Sequence, residues 1–222
     1  MDRDSVMKDV ITIDGPSGAG KSTIAKMLAK RLGYKYLDTG ALYRAVAWKA
    51  REEKTDIESE ESLKKLLKDI VITFEKEKII VNGIDVSTEI RTGEIGELSS
   101  RVSAMPVVRE GLFSIQREMG LNGKAVIEGR DTGTVIFPES ENKFFLDAGL
   151  EERAKRRHKE LIAKAQDKIV LKTVIDDIAK RDERDSTRES SPLKRTDDMF
   201  YIDTSKLTIE QVIEEIIRNL KV

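Results

Sequence analysis

The chain of 222 residues has no cysteine. Disulfide cross-links and thiolate metal sites are therefore excluded. It has a single histidine, His158, so there is no Ser-His-Asp set and no histidine-based metal cluster. His158 stands between Arg157 and Lys159, where a solvent-exposed position is expected. No apolar run approaches the roughly 20 residues needed to cross a bilayer. Met1 to Asp9 is polar and lacks the apolar stretch of a secretory signal. Neither sign of charge is in excess, with 40 basic and 41 acidic residues. Even from Glu151 onward, 17 Lys and Arg meet 16 Asp and Glu. No segment therefore carries the cationic surplus of a nucleic-acid-binding face. These absences point to a soluble cytoplasmic protein with no nucleic-acid or membrane partner. No apolar stripe calls for a protein partner either, so a monomer is expected. Asparagine and glutamine together number seven, while Lys and Glu abound. That mix resembles heat-adapted proteins. A thermal midpoint above about 60 °C is expected, and a melting curve centred below it would exclude the idea.

What is present begins with Gly15-Pro16-Ser17-Gly18-Ala19-Gly20-Lys21-Ser22, a full G-x-x-x-x-G-K-[ST] phosphate loop. Glycines permit tight turns and close backbone approach to a ligand. Successive N–H groups can then cradle phosphates at a helix start. Lys21 is placed to reach β- and γ-phosphates, and the Ser22 hydroxyl to ligate Mg²⁺. Val10-Ile11-Thr12-Ile13 before the loop reads as a buried strand. Ile24, Met27, Leu28 and Leu32 after it recur at helical spacing, and Gly33 suits the helix end. Strand, loop and helix are the context that the motif requires.

Further strands are expected at Tyr34–Leu37, Ala125–Ile127, Lys143–Leu146 and Met199–Ile202. Helical patterns run over Ala41–Arg51, Val107–Met119, Leu150–Ala165, Leu171–Arg184 and Ile209–Leu220. Alternating strands and helices favour a parallel sheet with helices on both faces. Thr55–Leu98 breaks the rhythm with a short helix, Glu60–Leu67, and strands Ile70–Phe74, Lys78–Val81 and Ile84–Val86. Asn82-Gly83 between the last two is a type I′ hairpin signal. This stretch reads as a small antiparallel insert, either decoration or a mobile substrate-closing subdomain.

In open parallel sheets, ligands gather at the carboxyl ends of strands. Asp38-Thr39-Gly40, Glu128-Gly129-Arg130-Asp131 and Asp147 all come directly after strands and would border one crevice with the loop. Tyr43 and Arg44 stand one turn into the next helix. Arg130 suits bidentate phosphate binding, and Asp131 can accept from an exocyclic amine or bind magnesium through water. The plainer reading is that the two pair with each other. In the run Lys180 to Arg188, Arg181, Arg184 and Arg188 share a helical face, and Arg181 meets Asp185 four residues on. Such a run is either a solvated face or an arginine cluster that reaches phosphates. Arg153 and Arg157 lie one turn apart, before a polar loop at Gln166-Asp167-Lys168. No general base is evident, and phosphoryl transfer can proceed by positioning and charge stabilisation alone. Trp48 reads as a core residue.

At this point the chain resembles the bacterial cytidylate kinases, P-loop nucleoside-monophosphate kinases. The matching stretches run from about Val10 to Leu220. They are I-T-I-D-G-P-S-G-A-G-K-S-T, L-D-T-G-A-L-Y-R, E-I-R-T, V-R-E, E-G-R-D-T-G-T-V-I-F-P, F-L-D-A, E-E-R-A-K-R-R and R-D-E-R-D-S-T-R. The phosphate loop is shared by many P-loop enzymes, whereas G-R-D-x-G-T-V-x-F-P and R-D-x-R-D-x-x-R are far more specific. The resemblance implies an α/β P-loop NTPase fold: a five-stranded parallel sheet, a small α+β insert in the monophosphate-binding region, and a short lid. It implies a single kinase domain over 1–222. The core would be about 8–40, 104–152 and 171–222, the insert about 41–103 and the lid about 153–170. The activity implied is Mg²⁺-assisted, in-line transfer of the γ-phosphoryl of ATP to CMP or dCMP.

By the same resemblance, Gly15, Pro16, Ser17, Gly18, Ala19, Gly20, Lys21, Ser22 and Thr23 bind ATP phosphates. Arg44, Arg130 and Arg188 clamp the acceptor phosphate. Ser100, Arg109 and Asp131 read cytosine, and Arg181 and Asp185 lie near the sugar. Asp38, Thr39 and Tyr43 line the acceptor pocket, while Arg153 and Arg157 cover the transferring phosphoryl from the lid. Two departures are small. Ser22 stands where related kinases often have Gly, and Thr39 where Ser is common. The other reading is a P-loop kinase for a different monophosphate or small acceptor. A guanine-reading Asn-Lys-x-Asp motif is absent, because Asn142-Lys143 continues as Phe144-Phe145.

Overall fold

The computed structural model describes residues 9–75, 78–121, 123–163 and 169–221. The chain opens with β1 (Val10–Asp14), α1 (Lys21–Leu32) and β2 (Lys35–Asp38). Helices α2 (Thr39–Glu52) and α3 (Glu60–Asp69) come next, then short strands β3 (Ile72–Glu75), β4 (Lys78–Val81) and β5 (Ile84–Asp85). After α4 (Gly93–Val102) and α5 (Pro106–Leu121) come β6 (Ala125–Glu128) and β7 (Asn142–Asp147). Helices α6 (Leu150–Ala163) and α7 (Leu171–Thr187), strand β8 (Phe200–Asp203) and α8 (Ile209–Arg218) complete the described elements. Two compact units result. One runs up to Leu37 and resumes at Arg117, and the other is Asp38–Gln116.

The larger unit is built on a five-stranded parallel sheet in the order β2-β6-β1-β7-β8. Every residue of the central strand β1 is buried. That is the environment an apolar, β-branched run needs when both sheet faces are covered. Alternation along the strands divides the two faces. Ile11, Ile13, Val126, Phe144, Leu146 and Ile202 pack with Ile24 and Leu28 of α1 and with Val212, Ile213 and Ile216 of α8. Val10, Ala125 and Ile127 point the other way, onto Ile136, Phe137 and Leu121.

Each of the five strands ends in a carboxylate: Asp38, Glu128, Asp14, Asp147 and Asp203. The register sets Ile13 beside Glu128, Asp14 beside Phe145 and Asp147 beside Asp203. Four of these carboxylates accept a backbone N–H close to the strand end or in a neighbouring turn. Ala41 donates to Asp38, Ala148 to Asp147, Ser205 to Asp203, and Thr132 and Gly133 to Asp14. Short acidic side chains do this because they can reach main-chain donors that a turning backbone leaves unpaired.

In the smaller unit, α2 buries Leu42, Tyr43, Val46 and Trp48. Strands β3, β4 and β5 form an antiparallel sheet. Asn82 and Gly83, at φ 49° and 82°, make the two-residue turn between Val81 and Ile84. The expected strand Ile70–Phe74 begins only at Ile72. The Asn82 side chain takes the Val71 N–H at 2.9 Å in place of a ladder partner. Helix α4 is not expected from its own residues. Gly93, Gly96 and a Ser-Ser pair lower its intrinsic propensity, but buried Ile95 and Val102 and the Thr92 cap hold it against α2. Helix α6 is described to Ala163. The polar loop Gln166-Asp167-Lys168, and with it part of the expected lid, lies outside the described residues.

Candidate active site

The phosphate loop leaves β1 at Gly15, whose φ is 148°. A Cβ there would lie 1.9 Å from the backbone oxygen of Leu146 in the adjacent strand, so only glycine fits. Gly20 occupies the N-cap of α1, where no side chain caps the helix and no acidic residue sits in the first turn. Helices α2, α3, α4 and α8 are instead capped by Asp38, Ser59, Thr92 and Thr208. The first turn of α1 is thus suited to an external anion by its amides and dipole. Lys21 is 4% exposed, and its ammonium donates to the Pro16 carbonyl at 2.7 Å. Burial pushes its pKa down to about 7, and the neighbouring Arg130 and Arg181 charges push the same way against Glu128 and Asp14. A polyanion beside Lys21 would restore its charge.

The loop is braced from α6 and α7. The Ser17 N–H donates to Asp182 at 3.0 Å. Arg153 donates to the Ala148 carbonyl at 2.8 Å and the Ser17 carbonyl at 2.9 Å, and it pairs with Asp182. Arg153 is therefore bonded to the phosphate loop. Arg157 instead pairs with Glu160 at 3.1 Å on a half-exposed surface. His158 is half-buried, contrary to the expected exposure, because its ring nitrogen bonds the Ile169 carbonyl at 2.7 Å.

Ser22 and Thr23 are exposed at the start of α1. The Ser22 hydroxyl donates to Glu128, and Tyr36 donates to the same carboxylate oxygen at 3.1 Å. A hydroxyl beside a carboxylate is a hard-oxygen pair. Among the described residues, no group of three or more His, Cys, Asp or Glu could hold an ion unaided. A metal at Ser22 and Glu128 would need oxygens from a ligand as well.

A second cluster joins two segments far apart in sequence. Arg130 pairs with Asp185 at 2.9 Å rather than with its neighbour Asp131. Arg181 and Arg188 approach Asp185 at 4.0 and 3.9 Å, and Arg188 faces Asp131 at 3.6 Å. Arg188 also donates to the Ser191 carbonyl at 2.8 Å. The Asp131, Asp185 and Arg188 side chains are at most 6% exposed. The charge run is thus not a solvated face at these positions. Burial alone would raise the Asp185 carboxyl, but Arg130, Arg181 and Arg188 outweigh it and hold the group below the ordinary range. Its ionised form contributes stability above that range and loses it as pH falls.

In the smaller unit, Asp38 caps α2 through the Ala41 N–H and pairs with Arg44 at 2.5 Å. Arg44 is therefore not a free helix charge. Thr39 is buried beside this pair in sequence. Arg109 is 5% exposed, donates to the Ser103 carbonyl at 3.0 Å, and lies over the Tyr43 ring at 5.3 Å from its centroid. Ser100 Oγ and Arg44 Nε are buried with no hydrogen-bond partner among the described residues. Buried polar atoms are rarely left so, and a ligand is one way to satisfy them.

Three residues of this geometry carry no local signal of their part in it. Glu128 is visible in the sequence at a strand's carboxyl end, but nothing in its spacing links it to Ser22. Asp182 is hidden in the charge run. Asp14 reads only as the residue before the loop.

The chain is similar to known proteins over nearly its whole length. A family model described as cytidylate kinase matches residues 11–222. The cytidylate kinase of Geobacter sp. is 47% identical over 216 residues, covering 96% of this chain and 92% of that protein. That of Carboxydothermus hydrogenoformans is 46% identical and covers 93% and 95%. That of Thermodesulfovibrio yellowstonii is 44% identical and covers 96% and 98%. A crystal structure of an uncharacterized protein from Eubacterium ventriosum aligns with a TM-score of 0.50 at 15% identity, over 95% of this chain and 97% of that one. That last likeness concerns the fold alone.

Proposed function

The chain belongs to the cytidylate kinase family, and from that premise we propose that it moves the γ-phosphoryl of ATP to CMP or dCMP, giving ADP and CDP or dCDP. The observation that carries this reading is the cluster of Arg130, Arg181 and Arg188 about Asp185 and Asp131, in the same unit as the phosphate loop.

Two anions at about 4 Å repel by about 4 kcal/mol per charge pair at an effective dielectric near 20. Bringing a triphosphate and a monophosphate end to end therefore needs fixed cations. The amides of residues 15–23 and Lys21 would hold the ATP phosphates. Arg130 and Arg188 would hold the acceptor phosphate, a role that the family resemblance also gives to Arg44. Arg181 and Asp185 would meet the sugar. The acceptor oxygen is already anionic, so no side chain need remove its proton, and in-line positioning supplies the catalysis. Arg153 would act through the loop to which it is bonded, and Arg157 from the lid. Ser22 and Glu128 fit a Mg²⁺ ion shared with the phosphates, and that ion would neutralise charge there.

Base choice would rest on Asp131, with Arg109 and Ser100. Cytosine offers an amine donor with N3 and O2 acceptors, matched by a carboxylate and a guanidinium. Uracil sets a carbonyl against the carboxylate. Asp38, Thr39 and Tyr43 would line the acceptor pocket. The protein would work as a cytoplasmic monomer, and no described helix is long and apolar enough to cross a membrane.

An assay of ADP release with Mg²⁺, ATP and a panel of CMP, dCMP, UMP and AMP tests this. Fast turnover with CMP and dCMP is expected, and equal rates with AMP would overturn the cytosine assignment. Asp131→Ala should lower the CMP-over-UMP ratio by about tenfold or more. A preserved ratio would place base reading elsewhere.

A further inference from the structure

Asp14 is fully buried, yet none of its side-chain hydrogen bonds serves its own strand. It accepts the Thr132 N–H at 2.9 Å, the Thr132 hydroxyl at 2.8 Å and the Gly133 N–H at 2.7 Å. These donors open a wide turn, Thr132–Ile136, that starts directly after Arg130 and Asp131. The residue after Asp14 is Gly15, the first of the phosphate loop. One carboxylate thus stands at the junction of two segments: one proposed for the donor, the other for the acceptor.

The fit around it is close. A Cβ on Gly133 would lie 2.8 Å from Thr12 Oγ1, 3.1 Å from Met199 Cε and 3.4 Å from Asp14 Oδ2. The 132–133 backbone therefore lies against β1 with no room for a side chain. Asp131 itself has φ −144° and ψ 21°, outside the regular regions, and its own side chain does not cap the turn. The turn on its C-terminal side holds its backbone in place. Val135 and Ile136 donate to the Asp131 carbonyl, and Thr132 and Gly133 are fixed by Asp14.

We propose that Asp14 is a positioning residue for base selection: by gripping the Thr132 and Gly133 amides it fixes the direction of the Asp131 carboxylate. The inference rests on the assignment of Asp131 to the base. Burial of Asp14 is a cost, seen in its carboxyl rising to about 6 against the pull of the Gly133 and Thr132 hydrogen bonds. Asparagine would fill the same space, but its amide nitrogen would face either the Gly133 N–H or the two Thr132 donors, so at least one hydrogen bond becomes a donor–donor contact. An error of well under 1 Å at a base-reading carboxylate suffices to blunt discrimination.

The test measures kcat and KM for CMP, UMP and ATP in the wild type, Asp14→Asn, Thr132→Val and Gly133→Ala. The ratio of kcat/KM for CMP to that for UMP is unaffected by a loss of folded protein, which lowers both alike. For Asp14→Asn the ratio should fall about tenfold, with the CMP KM raised and the ATP KM within about twofold of wild type. Gly133→Ala should shift the ratio the same way, and Thr132→Val less. If Asp14→Asn does not fold, the other two variants decide. An unchanged ratio, or a defect confined to the ATP KM, would overturn the proposal. A wild type with no preference for CMP would overturn the function itself, which is a separate outcome.

Discussion

Lys21→Ala is expected to lower kcat at least a hundredfold, by order of magnitude, without unfolding the protein. The reason lies in how Lys21 is held. Its ammonium is buried and donates to the Pro16 carbonyl, a neutral partner. Its pKa of about 7 against an ordinary 10.5 means that the folded state resists its charge. The unfolded chain binds the extra proton between these values. The group's destabilising effect is therefore full below about pH 7 and fades as pH rises toward 10.5. Removing Lys21 should raise the thermal midpoint at pH 7, and the gain should shrink by pH 9. ATP binding has the opposite sense. Phosphates favour the charged form, so above about pH 7 binding must take up a proton, and wild-type affinity should weaken by up to about tenfold per pH unit. Titration calorimetry in buffers of different ionisation enthalpy reads that proton. Proton uptake should vanish in Lys21→Ala. Unaltered turnover in the variant would refute the assignment of Lys21 to the phosphates.

The role proposed for Lys21 can be read from the sequence because its chemistry is local. Gly15 to Ser22 is contiguous, and its strand and helix are adjacent in sequence, so loop, strand and helix can be placed from spacing alone. The alternation of apolar strands with amphipathic helices likewise points to the parallel sheet. Spacing cannot supply pairings across the fold. Arg130 and Asp131 are neighbours, and the obvious inference from adjacency is a mutual pair. Adjacent residues on an irregular turn point apart, and Arg130 finds Asp185 instead, 55 positions on. Glu128 with Ser22 and Asp182 with Ser17 are separated by 106 and 165 positions. Only the sheet register and the packing of α7 bring them together. The half-burial of His158 departs from expectation for a related reason. Its charged neighbours describe the helix surface, whereas its partner, Ile169, lies beyond that helix. The glycines and serines of α4 argue against a helix in isolation, and burial against α2 overrides them.

Arg188→Ala is expected to reduce kcat/KM for CMP by about 10²–10³-fold and to destabilise the fold as well. Both effects come from one geometry. The Arg188 side chain is 4% exposed and faces Asp131 at 3.6 Å and Asp185 at 3.9 Å. Breaking a buried ion pair by removing one member costs about 3–5 kcal/mol where the other charge is left alone. Here Asp185 keeps Arg130 at 2.9 Å and Arg181 at 4.0 Å, so the loss should fall toward or below the lower end. With Arg188 gone, the Asp185 carboxyl should titrate higher in the folded protein. The stability gap from wild type should then be widest above about pH 5 and close as pH falls through the carboxylate range. Thermal melts at pH 7 and pH 4 measure it. Arg188→Lys separates structure from function. An ammonium restores much of the charge balance but not the planar fork that grips a phosphate. Lysine should therefore recover most of the thermal midpoint while kcat/KM stays at least about tenfold down. If the lysine variant regains both together, or if alanine leaves kcat and KM unchanged, Arg188 serves only to neutralise Asp131 and Asp185 in the folded chain.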